Sequence, residues 1–388
     1  MNNTQGFTQF SGKWQERAQL TWDTIALKPT KGIPTWGIND MQWSHLDDLS
    51  GNPRGSYERE PERVYLEFQQ KAVGCCGGDQ WIPTNPLSMK DQGYETEERS
   101  ATTGSHEIVC DGMVIDSPEA VVEHLEKHWF PNMVSWGQNV EKDADAFVAR
   151  HIAEEVDIQK FFGMNMLKWP YWNMHPHFRY YEYGYENYFM AYALYPEVIE
   201  HDFKLQADLG EIHNKLYARA IIEGGLPRLM RLDHDMADSR GMLVDIKTLD
   251  KIWLPHFARS IKPLIDAGIR CIWHCDGNLM DLVPRLLESG LGGFQGFQYE
   301  DGMDYEKICK MKTRDGDDLF IIAGVSVTTT IPLGTPADIR KQMKWLVDNG
   351  PKRGLMLGGS SSIAPGVPIE NIKALCEGFA YYREHGRG

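Results

Sequence analysis

From about residue 228 onward the chain alternates between short apolar runs and amphipathic stretches. The runs RLMRLD (228–233), IRCIWH (269–274), GFQGFQ (293–298), LFIIAGV (319–325) and GLMLGG (354–359) read as strands covered on both faces, as in a parallel sheet. Between them, 248–268, 279–290, 303–312 and 337–350 repeat their apolar residues at helical spacing. The last helix opens on Thr335-Pro336-Ala337-Asp338, a capping box whose acid suits a helix N-terminus. Repeated strand–helix pairs need right-handed crossovers and a mostly parallel sheet.

Upstream, Ser117-Pro118 is an N-cap followed by proline at the first helical position, leading into EAVVEHLEKHW. A long helix opens at Pro196 and stops at Gly224-Gly225. The text before about Asp111 reads as irregular, with turn signals at GNPRG (51–55) and polar residues at DQGYETEERS (91–100). Strands at 32–38, 78–83 and near 163–171 bring the total to eight. No GxGxxG links a first strand to a first helix, so a dinucleotide-binding sheet is set aside. The expected fold is α/β, a (β/α)8 TIM barrel forming one domain over 1–388. Residues 1–30 are an N-terminal extension packed on it, and an aromatic-rich loop is inserted in it.

Composition narrows the function. Fifty-five Asp+Glu against forty Lys+Arg give a net charge of −15, which argues against nucleic acid and polyanionic substrates. No run of eighteen apolar residues is present, so a membrane span is excluded. The opening MNNTQGFTQF lacks the basic and apolar regions of a secretory leader. Seven scattered Cys, including the vicinal Cys75-Cys76, form no disulfide framework or CxxC, so a reduced, cytoplasmic setting is expected.

A barrel puts its chemistry at the C-terminal ends of its strands. Those ends carry Asp233, His234 and Asp235; His274, Cys275 and Asp276; Glu300 and Asp301; Ser326; and Ser360, Ser361 and Ser362. His274 ends an apolar strand and precedes the turn Gly277-Asn278. A lone histidine there would equally well bond a backbone carbonyl, but with carboxylates on neighbouring strand ends it suits a metal site or an acid–base pair. Asp235 reads equally as a turn acid, and the Ser360–Ser362 turn either satisfies its own backbone or presents donors to an anion. The segment 169–195 holds twelve aromatic rings, interrupted by Met174, His175, Pro176 and His177. It is core in part, and in part a wall for an aromatic or methylated cationic ligand, with Trp172, Tyr181 and Tyr185 as contacts beside Trp36.

The text HCDGNLMDLVPRLLESGLGGFQGFQYEDGMD (274–304), IIAGVSVTTTIPLGTPADIR (321–340) and LMLGGSSSIAPGVPIENIKAL (355–375) resembles the uroporphyrinogen decarboxylase superfamily, in particular its methyltransferase-like branch. LDHDMADSRGMLVDIKTLDKIWLPHF (232–257) and KPTKGIPTWGI (28–38) are similar to its acidic turn and opening strand. The decarboxylase's cationic cluster has no counterpart around Trp36, Asn39, Asp40 and Trp43, so the resemblance does not imply porphyrinogen decarboxylation. The methyltransferase branch implies zinc held by a His-x-Cys pair and a later Cys. Here His274 matches the histidine, Asp276 stands at the first Cys position, Ser360 or Ser361 stands near the second, and Glu300 matches a carboxylate on the next strand.

The resemblance therefore implies a corrinoid-dependent methyltransferase. It would remove a methyl group from a small substrate, a methoxylated aromatic (O-demethylation), and pass it to a corrinoid (cobalamin) on a partner protein. Catalysis falls to His274, Glu300 and Asp235, a divalent metal, zinc, to His274, Glu300 and Asp276, and substrate contacts to Trp36, Trp172, Tyr181, Tyr185 and Ser360. A homodimer is compatible with this reading. A metal-free decarboxylase or lyase, and a non-catalytic binding barrel, are the alternatives.

Overall fold

A computed structural model describes residues 6–83, 107–172 and 174–387, and the polar stretch 91–100 lies outside them. Among the described residues eight parallel strands follow one another in barrel order. Strand β1 is of bridge length at 35–36, β2 is Gly77–Gly78 and β3 is Leu167–Lys168. The longer strands are β4 (Leu229–Asp233), β5 (Arg270–His274), β6 (Gly293–Gln295), β7 (Phe320–Val325) and β8 (Leu355–Gly359). Strands β4 to β8 pair in sequence order. The ring continues where Thr35 pairs with Leu357, Trp36 with Gly77, and Gly77 with Leu167. Across the remaining seam, Tyr171 Oη beyond β3 donates to Asp233 Oδ2 at the end of β4 (3.0 Å).

The expected (β/α)8 barrel is thus the architecture, and its later strands begin and end within a few residues of their apolar runs. Strand β7 is buried at all six positions, because helices cover one face and the barrel interior the other. Strand β6 ends at Gln295 rather than 298, where Gly296 takes a left-handed φ of 74° and turns the chain out of the ladder.

The Pro196–Glu223 helix starts and stops where its proline and glycines predict. The Pro336–Asn349 helix shows its capping box, with both reciprocal bonds between Thr335 and Asp338. The stretch expected as one helix over 248–268 is two, Ile246–Ile252 and Leu254–Asp266. Pro255 has no N–H to continue the first, so it opens the second instead.

The region expected to be irregular before Asp111 is largely helical. Helices occupy Glu16–Ile25, Trp43–Ser50, Ser56–Arg59 and Pro61–Glu67, the last running into a wider π-type turn at Phe68–Val73. The GNPRG signal is real, but it joins two helices. Gly51 caps one in the left-handed region and Gly55 precedes the next. Phe7 and Phe10, within the proposed extension, are buried in the same core as the strands. No helix among the described residues is long and apolar enough to cross a membrane.

Candidate active site

Strands β4 and β5 are in register so that Asp233 lies beside His274. The His274 ring is buried, and its Nδ1 lies 3.2 Å from the backbone oxygen of Gln295 on β6. A carbonyl only accepts, so in the neutral ring Nδ1 carries the proton and Nε2 keeps its lone pair. That Nε2 lies 3.9 Å from Asp276 Oδ1. The Asp276 backbone N–H donates to Asp235 Oδ1 (2.9 Å), which draws the third carboxylate inward. Ligand atoms of Asp235, His274 and Asp276 all lie within 4.8 Å of one another. Burial pushes the Asp276 carboxyl above its usual range, the nearby His274 offsets part of this, and Asp235 and Asp233 add to it.

Gly296 sets the other side of the imidazole. A Cβ at this position would lie 2.6 Å from His274 Nδ1 and 2.8 Å from Ser360 O, and its φ already favours glycine.

Below the imidazole lies a cavity of about 190 Å³, bordered by Trp36, Asn39, Tyr65, Asp79, Arg231, Asp233, His274, Gln295, Ser361 and Ser362. Its floor is a buried ion network. Arg231 Nε donates to Asp79 Oδ2 and its Nη1 to Asp233 Oδ2, both at 2.6 Å. Trp36 Nε1 donates to Asp79 Oδ1 (3.1 Å), and the guanidinium lies 4.5 Å from the Tyr171 ring centre. Burial alone would raise the Asp233 carboxyl, but His274 and Arg231 outweigh it and hold it below the usual range. Gln295 Nε2 donates to Ser360 O, whereas its buried Oε1 has no donor among the described residues and so offers a ligand an acceptor.

The expected residues sort unevenly over this geometry. His274, Asp235 and Asp276 come together, and Trp36 borders the cavity. Glu300 is not in that group: it is exposed on a 3-10 turn, Tyr299–Asp301, and accepts from Ser326 Oγ at 2.8 Å. The turn that follows Gly296 directs it there. Ser360 is buried in the wall, with its Oγ accepting from Val327 N (3.1 Å), so Ser361 and Ser362 face the cavity in its stead. Trp172 packs on His151 and Tyr217, outside the cavity.

Tyr181 and Tyr185 are exposed, and both rings lie against Tyr180 with centroids 4.4 and 4.6 Å away. Tyr180 Oη in turn donates to the backbone oxygen of Asp235 (3.0 Å), which sets this aromatic group beside the acids. Most other rings of 169–195 are core, including Trp169, Phe178, Tyr183 and Tyr188. The thiol of Cys275 is pushed well up by burial, and its Sγ–H donates to the backbone oxygen of Asp276 (2.9 Å). Cys75 and Cys76 are buried free thiols behind β2.

Sequence reading missed Asp79, Arg231 and Gln295. A signal was present for Arg231: a charge in mid-strand, inside an otherwise apolar run, needs a buried partner. Asp79 lies within the strand expected at 78–83, but the strand observed there is only Gly77–Gly78, and nothing in the sequence marks Asp79 as the partner of Arg231.

One imidazole nitrogen and two carboxylates, with the imidazole's second nitrogen held by a carbonyl, make a donor set that suits a zinc-like ion. The profile of the family Uroporphyrinogen decarboxylase (URO-D) matches residues 211–381. No curated protein matches the sequence. Among solved structures, a methyltransferase from Methanosarcina mazei aligns over 94% of this chain and 98% of its own, with TM-score 0.55 and 14% identity. A B12-independent methionine synthase from Shewanella sp. W3-18-1 aligns over 48% of this chain and 56% of its own, with TM-score 0.34 and 14% identity.

Proposed function

We propose that the chain, whose residues 211–381 match the model of the uroporphyrinogen decarboxylase family, belongs to that superfamily and is a cytoplasmic methyltransferase. It takes the methyl group of a small methoxylated aromatic and delivers it to a corrinoid on a partner protein. The convergence of Asp235 and Asp276 on His274, which itself lines the cavity that Trp36 borders, carries this reading. The name of the Methanosarcina mazei neighbour, which shares the fold, points the same way.

The C–O bond of an aryl methyl ether breaks as the methyl carbon passes in line to its acceptor, and the electron pair stays on the aryl oxygen. That oxygen is a poor leaving group unless its charge is met. His274 Nε2, Asp235 and Asp276 would hold a divalent ion, zinc, which supplies Lewis acidity at that oxygen when bound. The bond from His274 Nδ1 to Gln295 keeps Nε2 aimed at this point. Trp36 offers a ring face to the substrate, and Tyr180, Tyr181 and Tyr185 flank Asp235. Glu300 must release Ser326 to join the centre. The cavity of about 190 Å³ is below the roughly 300–1,000 Å³ of drug-sized ligand sites, which favours a small donor.

Charge argues against the lyase alternative. Asp79 and Asp233 pair with the Arg231 guanidinium of the cavity, and Asp235 and Asp276 add two more acids beside His274, so a carboxylate substrate meets like charge. Anaerobic incubation with reduced cobalamin and a panel of methyl donors tests the reading through methylcobalamin absorbance. Methoxyarenes should respond, and His274→Ala should lower the rate by about 10²–10⁴-fold. A response to methylamines with silence across methoxyarenes would overturn the substrate class, and an unimpaired His274→Ala enzyme would overturn the site.

A further inference from the structure

Away from the barrel mouth, a second group of side chains converges on one point. Helix Pro118–His124 runs into a π-type turn, Leu125–Trp129, in which the Phe130 N–H bonds to Leu125 O, five residues back. This stacks His124 and His128 on one face, with ring centroids 4.7 Å apart and planes 19° from parallel. Facing them is Asp111, at the tip of the hairpin formed by Val109–Cys110 and Met113–Val114. Asp111 takes a left-handed φ of 49°, a conformation that a non-glycine residue seldom adopts.

Its Oδ2 lies 3.1 Å from His124 Nε2 and 3.8 Å from His128 Nδ1. All three ligand atoms fall within 4.8 Å of one another. Tetrahedral zinc with bonds of about 2.0–2.1 Å needs donor atoms roughly 3.3 Å apart, so two of these separations need little adjustment.

The buried side of His124 supplies the orienting contact: its Nδ1 is 2.9 Å from Tyr183 Oη. With Nδ1–H donating to that oxygen, Nε2 presents its lone pair toward the Asp111 carboxylate, an arrangement in which a cation bridges the two; the other tautomer, with Tyr183 O–H donating to Nδ1, would instead pair Nε2–H with Asp111. We propose that Asp111, His124 and His128 form a second divalent-metal site, of two imidazoles and one carboxylate, that takes a zinc-like ion and ties the 109–114 hairpin to the helix behind Tyr183. The donor set is that of borderline first-row metals rather than of magnesium or calcium. The site shares no residue with the centre at His274, so it stands or falls independently of the methyl-transfer reading.

The test uses the full chain carrying His274→Ala, which removes the other centre. After chelator treatment it is titrated with Co²⁺ as a spectroscopic probe for zinc. One molar equivalent should bind, with d–d bands of a low-coordinate nitrogen–oxygen site, and added Zn²⁺ should displace it and raise the melting temperature. Adding His128→Ala or Asp111→Asn, both at the surface, should abolish the bands and the thermal shift while circular dichroism stays unchanged. The proposal is overturned if the His274→Ala chain binds no Co²⁺. It is equally overturned if the double variants bind as that chain does, which would mean that His124 donates Nε2–H to Asp111 and the site is closed. His124→Gln is not used, because that ring is buried and its loss could unfold the helix.

Discussion

The two halves of the barrel contribute differently to the cavity. Strands β4 to β8 are three to six residues long, paired in sequence order and almost wholly buried. Strands β1 to β3 are two residues long, β2 being a pair of glycines, with helices and aromatic packing around them. The regular half supplies His274, Asp235 and Asp276 from two adjacent strand ends. The short-stranded half adds Trp36 and Asp79 to a cavity that the regular half lines with Arg231, Asp233, Gln295, Ser361 and Ser362. The imidazole and acids are therefore fixed by main-chain register, whereas the cavity floor is fixed by one buried cation that joins the halves.

That asymmetry can be broken at its joint. Arg231→Met leaves Asp79 and Asp233 buried without their cation and should cost about 3–5 kcal/mol in chemical denaturation at neutral pH. Combining it with Asp79→Asn should recover part of the loss, and equal stability of the single and double variants would show that the pair is not coupled.

Acid should strike the short-stranded half next. Burial holds His175 down to about 4, and burial with Arg179 beside it holds His177 to about 3. Both stay neutral in the fold, while the unfolded chain takes up protons near pH 6.5. The neighbouring Asp233 and the carbonyl contacts favour the charged forms without reversing either shift. Stability from these groups is complete above about pH 6.5 and should fall as pH drops toward 4, by up to about 1.4 kcal/mol per pH unit per histidine. Denaturation midpoints across that window check the slope, and His175→Phe should flatten it.

Tyr171→Phe removes a hydrogen bond to a charged group across the β3–β4 seam and should cost about 1.5 kcal/mol. The regular half provides the smallest effect. Thr335→Ala deletes the N-cap of the Pro336–Asn349 helix and should cost about 1 kcal/mol without changing turnover. A larger loss from Thr335→Ala than from Tyr171→Phe would invert the comparison.

The same asymmetry governs what could be read from the chain. Strands such as LFIIAGV announce themselves because both faces are apolar, and helices with Pro at the first position or a capping box mark their own ends. The strand expected at 78–83 is in fact the patternless pair Gly77–Gly78, and Asp79 just beyond it is recognisable only once Arg231 is seen opposite. His274, Asp235 and Asp276 were legible because residues at the ends of neighbouring parallel strands must meet. Glu300 was harder, since one left-handed glycine upstream redirects the loop that bears it. Ser360 could not be told from Ser361 or Ser362 by type, because only the twist of the chain past β8 decides which hydroxyl enters the wall.

The hydrogen atoms of Gly296 occupy ground that any heavier substituent would contest with the histidine. The tilt of that ring, and with it the bearing of its free nitrogen, is inherited from a position that forms no bond to anything reactive. A mutational survey confined to polar side chains would pass it over, although a single added methyl group there would re-aim the imidazole without touching its chemistry.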